Sequence, residues 1–329
     1  MPEAIRNIGV LTSGGDAPGM NACIRAVVRS ASRLRIGVFG IERGFQGLID
    51  RSIRPLGDAD VWSIGGLGGS ILASSRSDRF RTPEGRKEAA AFLRSREIDG
   101  LVAIGGDGTF TGARLLEDET GIRVMGCTGT IDNDLAGTES TIGFDTAVNT
   151  ALDAIDRIHD TAAAMQRLFF VEVMGRHAGD IAIYSGVAGA ADVVLYPEDR
   201  THTLDTICEY VNREMSRGHR TILIVVAEGD ELGGAEYMKN EVSRRTGVPA
   251  WATVLGHIQR GGKPTARDRI IATLSGEAAV EALAEGKSRM MVGVRGLSPV
   301  LVPFDEALLA THRVPEAMLR LVRRAAKGG

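Results

Sequence analysis

Two doubly wound α/β lobes, each on a mainly parallel sheet, with a cleft between them, are what this sequence predicts. Apolar runs of strand length end repeatedly in glycine-rich or acidic loops, and helical spacing follows each loop. The chain's 329 residues suit two domains of average size.

Residues 8–12 read as a short buried strand, broken by Ser13-Gly14-Gly15-Asp16 and followed by Ile24, Val27, Val28, Ala31 and Leu34 at helical spacing. The order repeats where residues 101–104 precede Gly105-Gly106-Asp107-Gly108 and then Ala113, Leu115 and Leu116. Further strands are predicted at 124–127, 168–173 and 221–227, with a helix carrying Ala147, Val148, Ala151, Leu152, Ile155 and Ile158. Such alternation needs crossover connections, which make neighbouring strands parallel and put helices on both faces. Loops beyond the carboxyl ends of such strands converge on one crevice, so the motif loops are expected to face one another.

Composition narrows the function classes. Apolar residues make up 43% and charged residues 25%, ordinary for a folded chain. A formal charge of -3 and a pI near 6.1 supply no general polycation, so no nucleic-acid partner is expected. Cys23, Cys127 and Cys208 lie far apart without CxxC spacing, which fits reduced thiols and a cytoplasmic location. No leader or membrane segment is expected, because the start runs straight into a strand and runs such as 222–227 are too short to span a bilayer.

Glycines 14, 15, 105, 106 and 108 would let backbone amides approach phosphate oxygens, with a following helix N-terminus adding its dipole. Glycine pairs after strands also make plain tight turns, but Asp107 inside its loop would repel phosphate unless a divalent cation lay between them. Asp107 is therefore the candidate magnesium carboxylate. Gly286-Lys287-Ser288 is no Walker A motif, since Glu281 stands where its first glycine belongs; it reads as a helix stop.

Thr130-Ile131-Asp132-Asn133-Asp134 packs two carboxylates, a hydroxyl and an amide just after a strand. Turn chemistry alone is one explanation. Phosphoryl transfer to an alcohol is the other, for it needs a positioned acceptor of the hydroxyl proton, and Asp132 is the candidate base. Arg176 and Arg76 are the candidates to stabilise the migrating charge. Arg176 follows the run 168–173 and falls in the predicted crevice, whereas Arg167, at the other end of that strand, cannot share its location within one subunit. His257-Ile258-Gln259-Arg260-Gly261-Gly262 could grip a substrate phosphate, or His257 could be a core histidine beside a helix cap.

GGDGT at 105–109 alone also fits NAD kinases and diacylglycerol-type lipid kinases. Taken with TSGGDAPGMN at 12–21, GTIDND at 129–134, VEVMGRHAGD at 171–180 and TVLGHIQRGG at 253–262, the chain resembles the 6-phosphofructokinases in order and spacing over nearly its whole length. The resemblance implies Rossmann-like lobes, expected at 1–142 plus 257–304 for nucleotide and at 143–256 plus 305–329 for sugar phosphate. It implies ATP as phosphoryl donor, magnesium, fructose 6-phosphate as acceptor and a homotetramer.

Position by position, it implies nucleotide contacts from Gly15, Arg76, Ser77, Arg81, Gly106, Asp107, Gly108 and Thr109, with magnesium at Asp107. Catalysis would fall to Asp132, Thr130, Arg176 and Arg76. Substrate would meet Thr130, Asp132, Met174, Gly175, Arg176, Glu228, His257 and Arg260, with Arg167 reaching in from a neighbouring subunit. Pyrophosphate-using relatives typically carry aspartate at the position of Gly108 and lysine at that of Gly129, so both glycines favour ATP.

The chain departs from the pattern at Trp251, where bacterial relatives commonly place an arginine for the sugar phosphate, and at Thr128, where proline is usual. Losing that charge is expected to weaken sugar-phosphate binding unless another group compensates. Arg25 and Arg29 match an effector site, but Asp58 and His159 stand where relatives use arginines. Alternative expectations are a pyrophosphate-dependent or other sugar-phosphate kinase, and a nucleotide-binding regulatory subunit, against which the joint retention of Asp107, Thr130, Asp132 and Arg176 argues.

Overall fold

In a computed structural model that describes residues 5–310 and 312–325, the chain alternates strand and helix almost throughout. The order is β1 (Asn7–Thr12), α1 (Met20–Arg33), β2 (Gly37–Ile41), α2 (Phe45–Asp50), β3 (Ile53–Pro55), α3 (Asp58–Val61), α4 (Pro83–Ser95), β4 (Gly100–Gly105), α5 (Asp107–Thr120), β5 (Arg123–Thr130), β6 (Ile142–Gly143) and α6 (Phe144–Met165). It continues with β7 (Leu168–Val173), α7 (Asp180–Ala188), β8 (Val193–Leu195), α8 (Leu204–Ser216), β9 (Ile222–Ala227), α9 (Ala235–Thr246), β10 (Ala250–Val254), α10 (Ala266–Ala284), β11 (Met290–Arg295), β12 (Ser298–Pro303), α11 (Phe304–Leu309) and α12 (Glu316–Ala325).

Two compact units result: residues 1–131, 135–146 and 260–312 form the first, and 132–134, 147–259 and 313–329 the second. The sequence placed the crossings at 142/143, 256/257 and 304/305; the contacts place them at 146/147, 259/260 and 312/313 and give 132–134 to the second unit. The later crossing follows from residues past 304 that stay in the first unit: Asp305 accepts from Arg114 at 2.9 Å and from Arg289 at 2.6 Å, and Ala307 is buried in the same apolar cluster as Phe304 and Phe110.

The first unit holds an eight-stranded sheet in the order β12-β11-β5-β4-β1-β2-β3, with β6 pairing β5. All pairs are parallel except β11 with β12 and β2 with β3. Because strands in the middle of such a sheet are covered on both faces, β1 and β4 are buried along nearly their whole length, which is why they read as continuous apolar runs. Leu11, Leu101, Ala103 and Val124 pack against Phe45, Phe92, Leu93, Phe110 and Leu116 of α2, α4 and α5 on one face, while α1 and α10 pack together on the other. The chain leaves β1 toward β2 and later returns to β4 on β1's other side, so the sheet's topological switch lies between β1 and β4.

The second unit holds a four-stranded, wholly parallel sheet in the order β10-β7-β9-β8. Leu168, Phe170, Ile222, Ile224 and Val226 meet Ile207 and Val211 of α8 and Met238 and Val242 of α9. Helix starts follow local chemistry. Thr82 Oγ1 accepts the Gly85 amide at 3.1 Å ahead of Pro83, and Thr203 and Thr206 form a capping box at α8. The Gly286-Lys287-Ser288 tripeptide is indeed a helix stop, with α10 ending at Ala284 and Gly286 at φ 82.

Candidate active site

At the first sheet's switch point, the loops after β1 and β4 are joined. Ser13 N–H donates to the Ile104 carbonyl at 2.9 Å, and Thr109 Oγ1 donates to the Ser13 carbonyl at 3.1 Å. Gly105 permits the approach: a Cβ there would lie 2.3 Å from Thr109 Oγ1 and 2.5 Å from the Ser13 oxygen. Thr130, at the end of β5, packs beside Gly106, with its Cβ 3.4 Å from where a glycine Cβ would stand.

The 14-residue α5 begins at Asp107 behind Gly106, and no side chain caps it. The amides of Asp107 and Gly108 are therefore open to an anion, helped by the helix dipole, while the Thr109 amide donates to the Gly106 carbonyl at 2.9 Å. Asp107 and Gly108 are exposed and Thr109 is buried. The corresponding expectation fails at the first loop: α1 starts only at Met20, behind Gly19 at φ 110, so Gly14 and Gly15 lie on a free loop with residues 16–19 intervening.

That loop is fixed instead by side chains. Thr12 Oγ1 donates to the Ala73 carbonyl at 2.7 Å and shares a 2.7 Å hydrogen bond with Ser70 Oγ; the Ser74 hydroxyl donates to the Gly14 carbonyl. Asn21, almost fully buried, takes the Ile71 amide at 2.8 Å and donates to the Leu67 and Gly68 carbonyls. These bonds bring the segment carrying exposed Arg76 alongside Gly14. Ser77 is buried and accepts the Phe80 amide at 3.2 Å, a capping task. Arg81 is exposed, 3.9 Å from Asp78, while buried Arg86 donates to the Phe80 and Arg81 carbonyls and grips Glu119 with both ends of its fork. Arg260 belongs to this unit too: its guanidinium lies against Gly15 and donates to the Asp16 carbonyl at 3.3 Å.

In the second unit, neighbouring strand ends carry the other predicted residues. Arg176, after β7, has φ 57, and its amide donates to Glu228 Oε1, just beyond β9, at 2.7 Å. Gly229 lies so close that a Cβ there would stand 1.8 Å from the Arg176 carbonyl oxygen. Met174 N–H donates to buried Gln259 Oε1 at 3.3 Å, and Gln259 returns a bond to the Gly256 carbonyl at 3.1 Å. His257 is exposed on that turn, which removes the core-histidine alternative. Asp132 is buried, and its neighbour Asn133, at φ 55, donates to Asp180 Oδ1 at 3.0 Å. Arg167 lies at the opposite, amino end of β7, stacked on Trp251.

Sequence reasoning missed Asn21, Ser70 and Arg86, and it set the Gln259 amide toward a substrate phosphate, whereas that amide accepts the Met174 N–H and donates to the Gly256 carbonyl. Asn21 and Gln259 accept backbone amides far along the chain, from Ile71 and Met174, Ser70 meets the Thr12 hydroxyl, and Arg86 joins the nearby Phe80 and Arg81 carbonyls to Glu119; no local pattern marks such bonds. Glu198 was missed as well: burial raises its pKa, against the opposing Gly179 amide, which it accepts at 3.0 Å. Among the described residues no group of three or more His, Cys, Asp or Glu forms a metal cage, and no helix is long and apolar enough to cross a membrane.

Parallel α/β sheets, an open helix N-terminus flanked by glycines, and arginine-bearing loops at strand ends define an α/β phosphotransferase. The chain belongs to the phosphofructokinase family, which matches residues 7–283. It is 53% identical over 317 residues to ATP-dependent 6-phosphofructokinase 1 of Thermus thermophilus, covering 96% of this chain and 98% of that one. Identity to the ATP-dependent 6-phosphofructokinase of Clostridium botulinum is 48% over 304 residues, 92% and 94% of the two chains. The phosphofructokinase structure from Saccharomyces cerevisiae superposes with a TM-score of 0.86 at 35% identity, covering 98% of this chain and 48% of the yeast chain. A pyrophosphate-dependent phosphofructokinase from Marinobacter aquaeolei, 24% identical with a TM-score of 0.84 and covering 95% and 86% of the two chains, shares the fold.

Proposed function

We propose that this protein is an ATP-dependent 6-phosphofructokinase: it moves the terminal phosphoryl group of ATP to the 1-hydroxyl of fructose 6-phosphate, giving fructose 1,6-bisphosphate and ADP in glycolysis. The start of α5 carries the reading. Its first two amides are uncapped, Asp107 stands exposed there, and a Cβ at Gly108 would meet nothing within 4 Å. Gly108 is thus not demanded by packing or by a left-handed φ, and its missing side chain leaves the space a nucleotide needs beyond its outer phosphates.

The nucleotide would lie on Gly15, Arg76, Ser77, Arg81 and the 106–109 loop. A lone exposed carboxylate beside open amides suits magnesium, which keeps most of its shell as water and phosphate oxygens. Bound at Asp107, the ion would neutralise phosphate charge. Asp132 accepts the proton of the attacking 1-hydroxyl, Thr130 steadies that hydroxyl, and Arg176 and Arg76 meet the charge that spreads over the transferring group. Met174, Gly175, Arg176, Glu228, His257 and Arg260 hold the sugar phosphate, with Arg167 supplied by a neighbouring subunit of a cytoplasmic homotetramer.

A coupled assay offering ATP or pyrophosphate with several sugar phosphates tests the reading. Turnover is expected with ATP and fructose 6-phosphate, and Asp132→Asn should lower kcat by about 10²- to 10⁴-fold with both KM values retained. Preference for pyrophosphate or another acceptor, or full activity in Asp132→Asn, overturns it.

A further inference from the structure

Arg167, Phe169 and Trp251 gather on one face of the second sheet. Leu168 and Phe170 enter the apolar cluster with Ile222 and Ile224, so the two-residue period of β7 sends Arg167 and Phe169 to the other face. Parallel pairing of β10 with β7 sets Trp251 in register with Phe169, and the two rings stack with centroids 6.0 Å apart. Over the other part of this platform lies the Arg167 guanidinium, 4.0 Å from the centre of the Trp251 ring. The backbone of Arg167 is also held: its N–H donates to the Ala162 carbonyl at 3.1 Å, and its carbonyl accepts the Ile222 amide at 3.2 Å. Among the described residues no carboxylate forms an ion pair with it.

We infer that Trp251 is a positioning residue for Arg167: the indole face holds the guanidinium by stacking and leaves its in-plane N–H donors free for the phosphate monoester of the sugar. This rests on the reading that the substrate is fructose 6-phosphate and that Arg167 contacts it. An acidic partner would position an arginine equally well, but by occupying the donors that a phosphate needs. An aromatic partner uses the π face alone, and the five donors lie in the plane of the fork. Trp251 is thus not simply a lost cation, as the sequence suggests; it confines the one that remains. An arginine at 251 would forfeit the stack and bring a like charge beside Arg167.

Steady-state kinetics of the full-length enzyme decide the matter. Trp251→Leu should raise KM for fructose 6-phosphate by about threefold to tenfold while kcat and KM for ATP hold. Trp251→Phe, which keeps a π face, should stay within about twofold, and Arg167→Leu with Trp251→Leu should be no worse than Arg167→Leu alone. An unchanged KM in Trp251→Leu, or losses that add in full, overturns the inference. A second measurement does not depend on turnover. The sequence has two tryptophans, so in a Trp62→Phe background, at a residue 73% exposed, emission reports Trp251. Addition of fructose 6-phosphate should change that emission, and the response should vanish in Arg167→Leu; a response that persists rejects the coupling. Wild-type enzyme that fails to phosphorylate fructose 6-phosphate while this Arg167-dependent response survives rejects the functional reading and leaves the role of Trp251 standing.

Discussion

The hydroxyl of Thr109 donates to the carbonyl of Ser13 across 3.1 Å, so the first turn of α5 grips the loop that follows β1. Thr109 is 3% exposed, and the bond closes the switch point between β4 and β1.

Removing that hydroxyl leaves a buried carbonyl short of a donor, a loss of about 1–3 kcal/mol. Thr109→Ala should lower the denaturation midpoint and raise KM for ATP by about tenfold, with KM for fructose 6-phosphate unmoved, and Thr109→Ser should restore both. Equal weakening toward the two substrates would show that the bond does not act through the nucleotide loops.

Gly108 and Gly129 are glycine for different reasons. A Cβ at Gly129 would come within 2.9 Å of Ile104 Cγ2 and 3.2 Å of the Gly105 nitrogen, whereas one at Gly108 meets open space. Gly108→Asp should fold with unchanged or slightly higher stability, since an acid suits a helix's first turn, yet lose ATP-dependent activity. Gly129→Ala should cost about 1–3 kcal/mol by overpacking. Chemical denaturation and ATP kinetics on the two variants separate these cases; a Gly108→Asp enzyme with wild-type ATP kinetics would remove the spatial argument for nucleotide use.

How much of this was legible beforehand depended on how local the cause was. β1, β4, β7 and β9 lie inside their sheets, are covered on both faces, and read as apolar runs with nearly correct limits. β8 is three residues long, β10 is a half-exposed edge strand, and β12 is an antiparallel edge containing Pro299 and Pro303, so none leaves that signature. Motif strings placed the glycine loops and the acidic loop. They could not show that Arg260 rests on Gly15, a contact between a turn and a loop far apart in sequence, or that Arg167 rests on Trp251, a contact set by the register of β10 with β7. The chain's repeated crossing between units is hidden for the same reason: helix α6 starts in one and continues in the other without any break in its pattern.

Glu228 holds Arg176 in a conformation it would otherwise avoid. At φ 57 the arginine bears a strain of about 1–2 kcal/mol, and the carboxylate that accepts its amide at 2.7 Å offsets it with a charged hydrogen bond. Glu228→Ala should reduce kcat/KM for fructose 6-phosphate about 10- to 100-fold with KM for ATP unchanged, and Glu228→Gln, which keeps a carbonyl acceptor, should lose less. Identical losses in the two variants would mean that the carboxylate charge, not its grip on Arg176, is what counts.

Asp268 ties the start of α10 to the start of α6, accepting from Gly143 N at 3.0 Å, Thr146 N at 2.8 Å and the Thr146 hydroxyl. Its full burial raises the pKa to about 6; the three hydrogen bonds act in the opposite direction, and nearby Asp145 adds to the rise. Because the folded pKa exceeds the ordinary 3.8, the folded chain keeps a proton that the unfolded chain has released between those values. This group's contribution is therefore whole below pH about 4, declines as pH rises to about 6, and is flat beyond. The full swing is about 3 kcal/mol. Asp268→Asn cannot ionise, so the stability of the wild type relative to this variant should fall by that amount between pH 4 and 7, read by urea denaturation at each pH. A difference that stays constant across the window would mean that Asp268 is ionised in the folded protein throughout, with its hydrogen bonds outweighing the cost of burial.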